Sequence, residues 1–311
     1  MLVLPRDGSA LHDDQFRNIP GYLEEGDVLV LNNTKVSAVR LLGRKPSGAV
    51  VEALLLREST STSTFIALVK PGKRLRLGAE IQFEGGLKAV VTNEFAQGQR
   101  ELTFTEPAEG LSEAIRLAGT VPLPPYITER LDNPDRYQTV FAEHPGSSAA
   151  PTASLHFTKR LIKEIETKGV KIAYVTLNVG IDTFRPVEAT NLEDHVMHGE
   201  TCVVGDHAAE AINRRKGRVI AVGTTAVRTL ESFADKSRQI TTGTKDTRVF
   251  IRPGYEWQIV DGMLTNFHLP RTTMLMMIAA LVGRESLMIA YHHAIEERYR
   301  FLSFGDAMLI I

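Results

Sequence analysis

Two short stretches each bring a histidine up to a helix start. The stretch AAPTASLHFT, Ala149 to Thr158, is built from small residues and hydroxyls and ends on His156 and Thr158. TNFHLPRTT, Thr265 to Thr273, packs Asn266, His268, Arg271 and Thr272 into one loop before an apolar run. A free imidazole titrates near 6.5, so two of them on facing loops supply one base and one acid at neutral pH. Small residues ahead of a helix let a ligand come close to the backbone. Arg271 can grip a carboxylate or phosphate through two bonds, and Pro270 limits the freedom of its loop.

A third polar turn is GTT, Gly223 to Thr225, between an apolar strand pattern and a helix pattern. Its N–H groups and the hydroxyls of Thr224 and Thr225 suit an anionic or polar ligand group. Helix capping is the plainer use of such threonines, and Thr158 stands where it would cap the helix that follows it. HVMHGE brings His195, His198 and Glu200 together, a possible divalent-metal set, but with no HExxH pattern and no second carboxylate group. A metal-assisted hydrolase centred there is one alternative; the preferred reading has no metal. His292 and His293 fall in a charged helix pattern and read as surface residues. There is no GxGxxG after a strand, no Walker sequence and no GxSxG elbow, so neither a dinucleotide fold, a P-loop nor a serine hydrolase is supported.

These loops need a frame. TKRLIKEIETKG reads as a helix with Leu161, Ile162 and Ile165 on one face and Gly169 as its stop. VKIAYVTL and GRVIAV read as strands, AVRTLESFA, TMLMMIAALV and RESLMIAYHHAIEERY as helices. Alternation of this kind predicts an α/β domain with a mostly parallel sheet, whose ligands gather at the carboxyl ends of the strands. GDVLVLNNTKV reads as a further strand of that sheet. Between them, AVRLLGR, AVVEALLL, TFIALV, AEIQF, LKAVVTN and RELTFT are short β runs separated by glycine and polar turns. They predict an inserted small antiparallel β-barrel. The expected division is a discontinuous α/β catalytic domain, 1–37 and 118–311, around a barrel domain, 38–117. RESTSTSTF, Arg57 to Phe65, reads as a hairpin tip.

At 311 residues, 43% hydrophobic and 23% charged, the chain has the composition of a two-domain globular protein. A net charge of −1 argues against binding nucleic acid through bulk charge. It leaves room for a local basic face, and KPGKRLRLG carries one: Lys70, Lys73, Arg74 and Arg76. A single cysteine, Cys202, excludes an internal disulfide and fits a reducing compartment. The N-terminus does not read as a signal peptide, and Met274 to Val282 is too short to cross a bilayer, so a cytoplasmic protein is expected, as a monomer.

Taken in order, GDVLVLNNTKV, AVRLLGRK, LVKPGKRL, PLPPYI, RYQTVFA, AAPTASLHFT, VGTTAVRTLES, TNFHLPRTTMLMM and GDAMLI closely resemble the S-adenosylmethionine:tRNA ribosyltransferase-isomerases of queuosine biosynthesis. The matches run from about Leu2 to the C-terminus. The resemblance implies an α/β domain with an inserted barrel. It also implies transfer of the ribosyl part of S-adenosylmethionine to 7-aminomethyl-7-deazaguanine at the wobble position of a tRNA anticodon loop. Rearrangement then gives epoxyqueuosine-tRNA, with adenine and methionine released. S-adenosylmethionine is consumed as a substrate and no cofactor is implied. In that frame His156 and His268 take the acid and base roles. Thr158, Asn178, Gly223, Thr224, Thr225, Asn266, Arg271 and Thr272 contact substrate, and Lys70, Lys73, Arg74 and Arg76 contact tRNA.

The sequence departs from the family's pattern in places. Members usually begin about twenty residues earlier. TLNVG puts Asn178 where a histidine is usual, and asparagine hydrogen-bonds without shuttling protons at neutral pH. Ser147, Ser148 and Ser154 stand where Ala, Val and Gly are usual, and Asp182 where glycine is usual. A paralogue acting on a related adenosyl or nucleobase substrate, or an inactive RNA-binding homologue, is the second alternative.

Overall fold

The computed structural model describes residues 1–59, 63–106, 108–129, 131–180, 195, 197 and 199–311. The chain divides into two compact units. The larger comprises Met1–Thr34, Gln138–His144 and Ala150–Ile311; the smaller comprises Lys35–Tyr137 and Pro145–Ala149. Residues 118–137 therefore go with the barrel. Backbone bonds between Arg40 and Thr120, 2.9 Å in both directions, clip the proline-rich stretch onto a barrel strand. Gly119 permits that approach, since a Cβ there would run into Val39.

The larger unit is built on a nine-stranded sheet. Its order is Gly243–Thr247, Glu200–Val204, Lys171–Leu177, Val28–Asn32, Val219–Val222, Gly262–Asn266, Ala307–Ile310, Leu2–Leu4, His12–Asp13. Val28–Asn32, Val219–Val222 and Gly262–Asn266 are buried at every position. Strands covered on both faces have to be apolar throughout, and VLVLN and VIAV are. Leu29, Leu31, Ile220, Val222 and Leu264 form one core with Phe157 and Ile165. Each such side chain contributes about 1.5–3 kcal/mol by leaving water.

The sheet is mixed rather than mostly parallel. The four strands from Lys171–Leu177 to Gly262–Asn266 run parallel, and Leu2–Leu4 runs parallel to Ala307–Ile310. The other four pairings are antiparallel. Strand–helix alternation marks only the centre, because an antiparallel neighbour needs no crossover helix to reach its place.

The helices follow their sequence signals. Lys159–Thr167 is capped by Thr158, whose side chain accepts the Leu161 N–H, and the chain leaves through Gly169 at φ 87°. Among the described residues no single helix is long and apolar enough to cross a membrane; Thr273–Val282 and Arg284–Glu296 turn by 114° between them.

The smaller unit holds a closed barrel of the six expected strands, Val39–Arg44, Val50–Glu58, Thr64–Lys70, Glu80–Phe83, Lys88–Glu94 and Gln99–Phe104. Leu41, Val51, Ile81, Leu102 and Phe104 fill it, with Leu111 and Ile115 of the helix Ala108–Ala118 packed against them. The centre of the expected hairpin tip, residues 60–62, lies outside the described residues.

Candidate active site

The four parallel strands put their carboxyl ends on one edge of the sheet, and Asn32 is the knot there. It is fully buried. Its Nδ2 donates to the Leu177 carbonyl at 3.0 Å and to Thr225 Oγ1 at 3.1 Å. Its Oδ1 accepts from the N–H groups of Thr34 and Leu177, both at 3.1 Å. A buried amide with two donor and two acceptor bonds meets its full hydrogen-bonding demand. It thereby joins two strand ends to the start of the helix Gly223–Phe233.

The residues around that knot include four of the predicted contacts. Thr34 Oγ1 donates to Asn178 Oδ1 at 2.9 Å, which fixes the asparagine that replaces a usual histidine. Gly223 sits at φ 83°, where a side chain would be strained. Thr224 is half-buried beside it, and the hydroxyl of Thr225 accepts from Asn32 Nδ2, which leaves its O–H as the group it can offer a ligand. A Cβ on Gly223 would lie 3.6 Å from the Cβ of Ala153. Part of the smallness of AAPTAS thus serves internal packing: the 3-10 helix Thr152–His156 packs beside this turn through Ala153.

The same 3-10 helix reaches the next strand end. Thr152 Oγ1 donates to Asn266 Oδ1 at 2.9 Å, so the two donors of Asn266 Nδ2 face the other way. That nitrogen is buried without a partner, as are Ser154 Oγ and His156 Nε2. Unmet buried groups are costly, about 1–3 kcal/mol each, and three of them on two linked elements suit a site that a polar ligand completes. His156 is half-buried and stacks on Phe16, with 4.8 Å between ring centroids and 25° between planes. Burial lowers its pKa below the usual histidine value, with the Asp306 carboxylate acting the other way.

His268 follows Asn266 by two residues. Its Nε2 lies 2.8 Å from Thr265 Oγ1, and its backbone N–H donates to the hydroxyl of Tyr291 at 2.9 Å. The residue keeps some surface exposure, yet packing around the ring pushes its pKa down to about 4. The expected division into one acid and one base near 6.5 is therefore corrected. Desolvation disfavours both imidazolium forms, so both rings are neutral at neutral pH and both begin as proton acceptors.

Arg271 is exposed and adopts φ 60°, and it makes no ion pair among the described residues. Thr272 is committed to structure: it caps Thr273–Val282 by accepting the Leu275 N–H and donates to the Leu269 carbonyl at 2.8 Å. Thr158 is likewise a cap. In the smaller unit, Lys70 ends a strand, Lys73 and Arg74 are exposed on the turn Gly72–Arg74, and exposed Arg76 pairs with Glu94 at 3.3 Å.

The metal alternative finds little to stand on. His198 lies outside the described residues, as does Asp182. Glu200 is engaged by Arg228 and by the Gly180 N–H at 2.9 Å, and the ring of His195 packs near that of Phe250. Among the described residues no three His, Cys, Asp or Glu side chains are grouped to hold a metal. Burial pushes the Cys202 thiol up to about 11, which makes it a poor nucleophile. His293, expected at the surface, is half-buried and bonds Asp13 at 3.0 Å.

Asn32, Thr34, Phe16, Thr265 and Tyr291 do not stand out from sequence, whereas Ser154 does, as a departure from a usual glycine. NNT directly after the buried run VLVL was the available signal for the first two, since polar residues at a strand's carboxyl end sit where α/β proteins bind. Nothing near His156 in sequence points to Phe16.

Known proteins resemble the chain along its whole length. A family model described as queuosine biosynthesis protein matches residues 1–310. The crystal structure of S-adenosylmethionine tRNA ribosyltransferase from Thermotoga maritima is 34% identical, with a TM-score of 0.53, covering 100% of this chain and 91% of that one.

Proposed function

The chain belongs to the queuosine biosynthesis protein family, and from that premise we propose that it is a tRNA ribosyltransferase-isomerase. It moves the ribosyl part of S-adenosylmethionine onto 7-aminomethyl-7-deazaguanine at the tRNA wobble position and rearranges it to the epoxycyclopentanediol of epoxyqueuosine. The observation that carries this reading is the trio of unpartnered buried groups, Ser154 Oγ, His156 Nε2 and Asn266 Nδ2, at the carboxyl edge of the sheet. They suit a nucleoside rich in donors and acceptors. A wobble base lies in an exposed loop, so presenting it costs little unpairing energy. A cytoplasmic monomer is part of the same proposal.

The sulfonium acidifies the ribose carbon beside it. A neutral imidazole takes that proton, the C–H electron pair staying on carbon, and becomes imidazolium. His156, with Nε2 unpartnered, has a nitrogen ready for it. The imidazolium can then return the proton to a ring nitrogen of adenine as the glycosidic bond breaks, so one ring serves as base and then as acid. His268, tied to Thr265, is the second acceptor. The exposed guanidinium of Arg271, or the N–H groups of the Gly223–Thr225 turn, hold methionine's carboxylate.

The test is incubation with S-adenosylmethionine and tRNA carrying the deazaguanine. Adenine and methionine released in equal amounts, with a tRNA nucleoside of epoxyqueuosine mass, is the expected result. Tight RNA binding without adenine release would instead favour the non-catalytic homologue.

A further inference from the structure

Among the large apolar side chains exposed on the barrel unit are Leu77 at 66% and Phe95 at 41%. Single exposed apolar residues are ordinary. These two flank one carboxylate. Glu94, the chain neighbour of Phe95, accepts the Leu77 N–H at 3.0 Å. The buried guanidinium of Arg100 lies 3.4 Å from Glu94 and donates to the carbonyls of Leu75 and Gly72 at 2.7 and 3.1 Å. One buried cation thus locks the turn Gly72–Arg74 and the end of the strand Lys88–Glu94 to each other. The ring of Phe95 is presented on a fixed base rather than on a loose hairpin.

The segment that this lock joins to Phe95 carries exposed cations. Lys73, Arg74 and Arg76 are exposed on the locked segment, and Lys45 Nζ donates to the Arg74 carbonyl at 2.9 Å. The Leu77 N–H, together with Arg76 and Arg100, holds the Glu94 carboxyl below the usual carboxylate range. Glu94 therefore stays ionised between Arg100 and Arg76, one carboxylate against two guanidiniums, and exposed Lys73 and Arg74 add to the excess of positive charge. The core of a protein docking surface is poor in lysine, although arginine is common there. Cations interleaved with an exposed ring form the pattern of single-stranded nucleic-acid binding, in which bases stack on aromatics and the backbone follows the positive charge.

We propose that Phe95, backed by Leu77, is a stacking platform for an unpaired base of the RNA substrate, with Lys73, Arg74 and Arg76 taking the phosphates on either side. This rests on the tRNA reading above and adds to it a base contact on the barrel.

The experiment measures binding of the full chain to a fluorescent anticodon stem-loop over a salt series. Phe95→Ala should weaken binding about tenfold, leaving the salt slope and the thermal melt unchanged. Phe95→Tyr should bind as the wild type does. Phe95→Leu, which keeps apolar bulk without a ring, should behave like Phe95→Ala. The triple change of Lys73, Arg74 and Arg76 to Gln should lower the salt slope by roughly 2 to 3. Binding by Phe95→Ala within twofold of wild type would overturn the platform while leaving the tRNA reading intact. Wild-type affinity in Phe95→Leu would also overturn it, in favour of apolar docking. No RNA binding by the wild type at low salt would overturn both.

Discussion

Asn32 and Thr225 are 193 positions apart in the chain and 3.1 Å apart in space, Nδ2 to Oγ1. Through that bond the end of the strand Val28–Asn32 and the first turn of the helix Gly223–Phe233 move as one piece. Asn266, the polar end of another parallel strand, differs in one respect: its amide nitrogen has no protein partner.

The two asparagines should therefore respond differently to truncation. Asn32→Ala leaves the Thr225 hydroxyl and both Leu177 backbone groups without their partner and should cost about 3 kcal/mol in denaturant unfolding. Asn266→Ala gives up one bond, to Thr152, and should cost about 1 kcal/mol. In calorimetric titration, however, Asn266→Ala should weaken S-adenosylmethionine binding about tenfold. Equal stability losses in the two variants would contradict the assignment of one as a knot and the other as a ligand contact.

His156 is kept neutral partly by what covers it. Phe16→Ala uncovers one face of the ring, so the His156 pKa should rise toward 6.5 when followed by NMR. His156→Gln should cut turnover roughly 100-fold, with S-adenosylmethionine affinity changed far less. A pKa unmoved by Phe16→Ala would mean that the stack does not set it.

His268 makes a stability prediction with a definite sign. Its pKa is about 4 in the folded protein and near 6.5 in the unfolded chain. The unfolded chain thus takes up the proton first on acidification. The stabilisation is complete above pH ~6.5 and is lost as pH falls toward 4, amounting at most to roughly 3 kcal/mol. His268→Gln should lose less stability than wild type between pH 7 and pH 4, read from denaturant midpoints. Identical slopes would show that the ring does not carry this term.

Glu200 is part of a buried ion pair with Arg228. Glu200→Gln should cost about 3–5 kcal/mol by leaving the guanidinium charge uncompensated. A chelator should change neither stability nor adenine release. Loss of activity on chelation, restored by zinc or manganese, would revive the metal reading of His195 and Glu200.

The legible parts were those written in local pattern. The six barrel strands each carry their own alternation between turn residues, and Thr158 caps the helix it precedes; Thr272, read from sequence as a substrate contact, is a cap as well. The site edge was half legible: GTT and TNFH mark strand ends, but nothing in sequence says that Thr225 accepts from Asn32 or that Asn266 keeps a donor free. The histidine pKa values were illegible, because desolvation depends on neighbours such as Phe16, 140 positions from His156 in the chain and known only once the chain is folded. The antiparallel flanks of the sheet were missed for the same reason, since strand direction at the edges leaves no local mark.

Leu2 pairs in parallel with Met308. A ribosome adds roughly 5–20 residues per second, so the segment around Leu2 waits on the order of half a minute before its neighbour exists. The barrel, whose strands are consecutive between Val39 and Phe104, can close long before that. Nascent chains should then pass through a stage with a finished barrel and an exposed apolar edge at Leu2–Leu4, the moment at which a chaperone has most to protect.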